Sequence, residues 1–193
     1  DGIVAGVTFV ITLIAAPHLD KGILIGAGLA IILYLYRTMK PRVAQLGRFK
    51  DGTLRDIKVN PGLPTSPHII AMRFDGSLYF ANISYFEDNV LEMIAAKPNA
   101  KYLLVVGDAI NQLDASGEEV VHHLVDRLRE GGIEVVFSGL KKQILDVMRS
   151  TGLFEKISQD NIFATEDQAI AAIYERLGET AQDDLFCAMP ARA

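Results

Sequence analysis

Tyr102-Leu103-Leu104-Val105-Val106-Gly107-Asp108-Ala109-Ile110-Asn111-Gln112-Leu113-Asp114-Ala115-Ser116-Gly117 is the stretch on which the fold of this chain turns. With Lys101 before them, its first residues form an apolar run without alternation, as expected of a strand buried on both faces at the centre of a parallel sheet. A turn and the opening of a helix follow. The unit is strand, turn, helix, and the sequence around it repeats that order.

Downstream, Gly131-Gly132 ends a helix that begins near 116, and a strand at 133–138, a helix at 140–149 and a last helix at 166–177 come after it. Upstream, 69–74 and 78–81 read as strands on either side of Asp75-Gly76, a turn dipeptide favoured in hairpins. Asn82 or Ser84 can cap a helix running to about Ala96, with Ile83, Phe86, Val90, Leu91 and Ile94 on its apolar face. Alternating strands and helices imply an α/β domain with an open, mostly parallel central sheet. Roughly 110 residues suffice for one such core. Gly52, Pro61, Gly62, Pro64 and Pro67 mark the preceding stretch as linker, with one short strand around 54–59. The tail 179–193 lacks periodicity and is expected to be mobile.

The start of the chain is of another kind. Apolar runs at 2–16 and 22–36 flank Pro17-His18-Leu19-Asp20-Lys21 and read as a membrane helical hairpin. A helix of about 15 residues rises only roughly 22 Å against a hydrocarbon core of about 30 Å, so each run is short for a span. The second lengthens if Lys21 and Arg37 snorkel outward and Tyr34 and Tyr36 sit in the interfacial aromatic belt. The first begins at Asp1, not at an initiator methionine, and the chain reads as the C-terminal piece of a longer protein. Gly2-x-x-x-Gly6 and Gly22-x-x-x-Gly26 would let helices approach closely in lipid, although glycine is also simply abundant in membrane segments.

From Arg37 to Lys50 the chain carries five basic residues and no acid, which places the following domain on the cytoplasmic side. Lone Cys187 agrees, because a single thiol forms no internal disulfide. Residues 1–50 hold six basic and two acidic side chains, and the remainder 13 and 22. So acidic a domain is a poor nucleic-acid binder. Arg37, Lys40, Arg42 and Arg48 are candidate lipid-facing residues, beside the topology-setting role that any such cluster has. The organisation is therefore 1–40 membrane segments, 41–67 basic exit and linker, 68–178 the α/β domain, and 179–193 the tail.

Chemistry is sparse. The chain has no phosphate loop, nucleophile elbow, metal-spaced Cys/His set or cofactor motif, and no catalytic residue is assigned. His122 and His123 diverge by about 100° on a helix and cannot share a metal as an i, i+4 pair can. His18 reads as a solvated loop histidine. The candidate site is Asp114, Ser116 and Gly117. Ser116 and Glu119 would form a capping box with Asp114 as the turn residue, in which case Ser116→Ala costs about 0.5–2 kcal/mol. A phosphate on Ser116 would sit at the positive end of the helix dipole, but Glu118 and Glu119 would repel its added charge of about −1.5 to −2.

The Asp114-x-Ser116-Gly117 turn after a hydrophobic strand, Gly131-Gly132-Ile133-Glu134-Val135-Val136, and Leu153-Phe154 after a helix resemble the STAS domain of bacterial anti-sigma-factor antagonists and sulfate transporters. Ser116 matches the serine phosphorylated in the antagonists. Tyr34-Leu35-Tyr36-Arg37-x-x-x-Pro41-x-Val43-Ala44-x-Leu46-Gly47-Arg48 and Arg73-Phe74-Asp75-Gly76-Ser77-Leu78-Tyr79-Phe80-Ala81-Asn82 are similar to the membrane exit and early STAS strands of the sulfate permease (SulP) family. That resemblance implies a multi-spanning secondary transporter of sulfate or another small inorganic anion, homodimeric, in a bacterial inner membrane. It further implies that this fragment is the last two membrane helices plus a cytoplasmic STAS domain serving regulation, assembly or trafficking. The anion site would then lie in earlier helices outside this chain. The alternative is a membrane-tethered STAS protein switched by phosphorylation at Ser116. Lipid, the remaining membrane helices and a cytoplasmic regulatory protein are the expected partners.

Overall fold

A computed structural model describes residues 2–14, 19–178, 184 and 186, and excludes the side chains of Val4, Leu19 and Lys21. Pro17, His18, Cys187 and the rest of the tail lie outside the described residues. The chain divides into two compact units, Asp1–Lys40 and Pro41–Ala193.

In the first unit α1 (Gly2–Ile14) packs on α2 (Leu19–Met39). Two glycines of α2 lie directly against α1. A Cβ at Gly22 would lie 2.9 Å from the Thr12 Cα, and one at Gly26 would overlap the Thr8 methyl. The small-residue spacing of α2 thus seats the threonine pair of α1, whereas Gly2 and Gly6 have no such neighbour. Outward, Ile3, Phe9, Leu13, Leu24, Ile31 and Leu35 are exposed. So much uncovered apolar surface suits hydrocarbon rather than water. Among the described residues one stretch, Gly22–Met39, is long and apolar enough to cross a bilayer, and α1 is shorter.

The second unit is a six-stranded sheet in the order β2-β1-β3-β4-β5-β6. Its strands are β1 (Val43–Arg48), β2 (Leu54–Asp56), β3 (Ile69–Phe74), β4 (Tyr102–Val106), β5 (Glu134–Ser138) and β6 (Ile162–Phe163). From β3 to β6 every pair is parallel, and β1 is antiparallel to both β2 and β3. The helices are α3 (Ile83–Ala95), α4 (Ala115–Glu130), α5 (Lys142–Thr151), α6 (Leu153–Ile157) and α7 (Glu166–Leu177). Apolar side chains of α3 to α6 close one face of the sheet, where Phe74 and Phe86 meet edge-on at 5.3 Å. Those of α7, with Phe186, close the other. The glycine stop of α4 is a Schellman motif. Gly132 takes φ +76°, Ile133 N–H donates to the Leu128 carbonyl and Gly132 N–H to that of Arg129.

Two sequence expectations need correction. The stretch read as basic exit contains β1, whose buried side holds Ala44, Leu46 and Arg48. The hairpin at Asp75-Gly76 does not form. β1 occupies one edge of β3, pairing Val43 with Phe74, and β4 occupies the other. Leu78 is left to make an isolated parallel bridge to Leu113, and Gly76 lacks the positive φ that a tight hairpin turn requires. The linker strand shortens to β2, α2 extends the expected run 22–36 by three residues at each end, and α6 and β6 have no counterpart among the expected elements. The ends of β3, α3, β4, α4, β5, α5 and α7 fall within two residues of their expected places.

Candidate functional site

The turn before α4 lies at the carboxyl end of the parallel strands, where loops from several strands meet. Asp114 is the N-cap of α4, and its carboxylate joins two loops. One oxygen accepts from Gly117 N–H at 2.8 Å, the other from Phe80 N–H at 3.0 Å. Backbone bonds complete the seam, with Leu78 N–H donating to Gln112 O and Asp114 N–H to Leu78 O. Gly117 is required by close approach, since a Cβ there would stand 2.7 Å from the Leu78 carbonyl oxygen. The Asp-x-Ser-Gly pattern is therefore explained at its first and last residues by the seating of a helix. Ser116 is the second helical residue and half-buried; the capping box with Glu119 gives way to the Asp114 cap, because Asp114 and not Ser116 has the extended backbone of an N-cap. Glu118, on the same turn, pairs with His122 at 2.6 Å.

Beside this turn an open groove of about 480 Å³ is lined by Ser77, Asn111, Gln112, Gln143, Ile144 and Val147. Lys141 Nζ donates to the Asn111 side-chain oxygen and Gln143 Nε2 to the Asn111 carbonyl. Phe80, 72% exposed and edge-on to Tyr79, stands by the Asp114 cap. Among the described residues no three His, Cys, Asp or Glu side chains form a metal-sized group. Phe80, Lys141 and Gln143 carry no sequence signal of a site, since only folding brings them to the turn.

The basic residues separate. Arg37 and Lys40 are exposed near the end of the first unit. Arg42 is committed to Asp56. Burial pushes the Asp56 carboxyl up, but the Arg42 hydrogen bond and the Lys58 amide outweigh it and hold the group below its ordinary value. Arg48 is not lipid-facing. Strand alternation turns it inward to 4% exposure, where it donates to the Phe186 carbonyl at 3.3 Å and lies 3.9 Å from Asp167.

Residues 60–169 match the STAS domain family. Over 163 residues the chain is 27% identical to probable sulfate transporter 4.2 of Arabidopsis thaliana, covering 79% of this chain and 24% of that protein. It is 23% identical over 162 residues to high affinity sulfate transporter 2 of Stylosanthes hamata, again covering 79% and 24%. The murine Slc26a9 anion transporter in its inward-facing state shares the fold, with a TM-score of 0.73 at 17% identity over 87% of this chain and 28% of that one. The chain spans about a quarter of the length of the curated relatives it matches.

Proposed function

This chain belongs to the STAS domain family and fits the C-terminal region of a SulP-family protein, and from that premise we propose that the intact protein is a secondary transporter of sulfate or another small inorganic anion. The observation that supports this most is the order of parts in one chain. An outward-apolar helix pair, ending in exposed Arg37 and Lys40, leads directly into a STAS fold that sulfate transporters also carry. In this reading the domain lies on the cytoplasmic side of a bacterial inner membrane, with Arg37 and Lys40 at the anionic headgroups. The anion binds near the bilayer midplane, on helices outside this chain.

The STAS domain then serves regulation, assembly or trafficking of a homodimer, with the groove around Asn111 and Phe80 as the surface offered to a cytoplasmic protein. Uptake of labelled sulfate, bicarbonate, chloride and dicarboxylate into vesicles holding the full-length protein, under imposed ion gradients, tests the proposal. Uptake of at least one anion above that of empty vesicles is expected; no uptake of any would overturn it. The competing reading, a tethered regulator switched at Ser116, is supported by the place of that serine in the first turn of α4. It requires phosphorylated Ser116 in the cellular protein, and an unmodified residue in its mass spectrum under varied conditions would remove it.

A further inference from the structure

Of the tail 179–193 only Asp184 and Phe186 are among the described residues, and both are buried. Phe186 is 1% exposed, within the apolar cluster of Ala44, Leu46, Ile173 and Leu177, its ring 6.4 Å from that of Tyr174. Asp184 accepts from the Ser66 hydroxyl at 2.5 Å and the Tyr174 hydroxyl at 3.1 Å through one oxygen, and from Phe186 N–H at 3.0 Å through the other. Arg48 holds the Phe186 carbonyl. Lys97 donates to the Ser66 carbonyl at 2.8 Å; burial draws its amine below the ordinary lysine range, and the charge of Asp184 works against that.

These groups form a seat built from four separate parts of the domain. Arg48 comes from β1, Ser66 from the segment before β3, Lys97 from just beyond α3, and Tyr174 from α7. The seat reads a carboxylate at one position and an aromatic ring two residues later, with a hydrogen bond to the backbone carbonyl at that second position. Peptide-recognition sites are built in the same way, with main-chain bonds for affinity and pockets for side chains. Its floor is also unlike the rest of the core. Around Asp184 and the Phe186 carbonyl, two hydroxyls, an ammonium and a guanidinium whose Nε is buried without a partner can be rehydrated when the segment leaves, whereas the apolar wall of Ala44, Leu46, Ile173 and Leu177 around the Phe186 ring cannot.

We propose that this seat is a receptor for acidic-x-aromatic segments, and that the chain's own Asp184 and Phe186 are its resident occupant, an exchangeable latch over the α7 face. The latch opens without unfolding the sheet, and the emptied seat binds the same sequence supplied in trans.

The test uses the full chain in detergent, as wild type and as Phe186→Ala, with a labelled, C-terminally amidated peptide of residues 180–186 as the probe. The variant should keep a cooperative melt and bind the peptide at least tenfold more tightly than wild type, whose seat is filled. Replacing the peptide's own phenylalanine or its Asp184 equivalent with alanine should abolish that binding, and Ser66→Ala in the Phe186→Ala chain should weaken it several-fold. Equal binding to both chains, or binding to neither, would overturn the proposal. So would failure of Phe186→Ala to fold, because the segment would then be core and not a latch.

Discussion

Four helices, α3 to α6, cover one face of the sheet, and α7 with two residues of the tail covers the other. The first face is closed by apolar packing between regular elements, Phe74 against Phe86 among them. Charged and polar side chains are part of the second. Arg48, Asp56, Ser66 and Asp184 are buried there, each bonded to a segment distant in sequence. A face filled wholly by side chains of regular helices opens only by lifting at least one of those helices. A face whose last piece is a short terminal segment has a smaller opening available. If the latch opens as proposed, two halves of one core, on one sheet, differ in how reversibly they are closed.

The largest expected effect tests that contrast directly. Phe74→Ala should cost about 3–5 kcal/mol, as truncation of a buried aromatic does, whereas Phe186→Ala should cost clearly less, because its loss is capped by the free energy of releasing the tail. Urea denaturation of the two variants, followed by circular dichroism, decides; equal losses would erase the distinction between the faces. Next, Gly117→Ala should cost about 1–3 kcal/mol by forcing α4 away from the Leu78 carbonyl, and the same titration reads it.

Acid should weaken the second face through Asp56. Its carboxyl is held below the ordinary value in the folded chain, so the stabilisation is present above the unfolded value, near pH 4, and is lost as pH falls through the folded one. Denaturation midpoints between pH 3 and 6 should fall less steeply for Asp56→Asn than for wild type. The smallest effects concern the turn. Asp114→Ala should cost about 0.5–2 kcal/mol and Ser116→Ala within about 0.5 kcal/mol. The reverse order, in thermal melts of the two variants, would restore Ser116 as the cap.

Much of the fold was legible because its signals are local. The unbroken run at Tyr102–Val106 marked a central strand, Gly131-Gly132 marked a helix stop, and Glu166–Leu177 was read to its ends. β1 was not legible, because Gln45, Gly47 and Arg48 disguise a six-residue strand whose buried side includes a charge. The hairpin failed for a related reason. Asp75-Gly76 permits a tight turn, but the edge it needed was already taken by β1. At the candidate site the right residues stood out, Asp114 and Gly117 among them, while their roles did not. Ser116 and Asp114 are both acceptable caps by spacing, and the choice fell to the residue whose second oxygen also reaches Phe80.

The sequence alone determined the kinds of element, their order, the apolar helix pair ahead of an acidic α/β domain, and the family resemblance. Periodicity, turn chemistry and short motifs are properties of neighbouring residues and need no knowledge of the rest of the chain. Only the tertiary structure decided that a basic stretch joins the sheet, that Arg48 is a buried tether, that Asp114 fastens two loops, and that Asp184 and Phe186 close a face. Each of these depends on which edge, carbonyl or slot is left vacant by a segment far away in sequence, and that is settled only when the whole domain has packed.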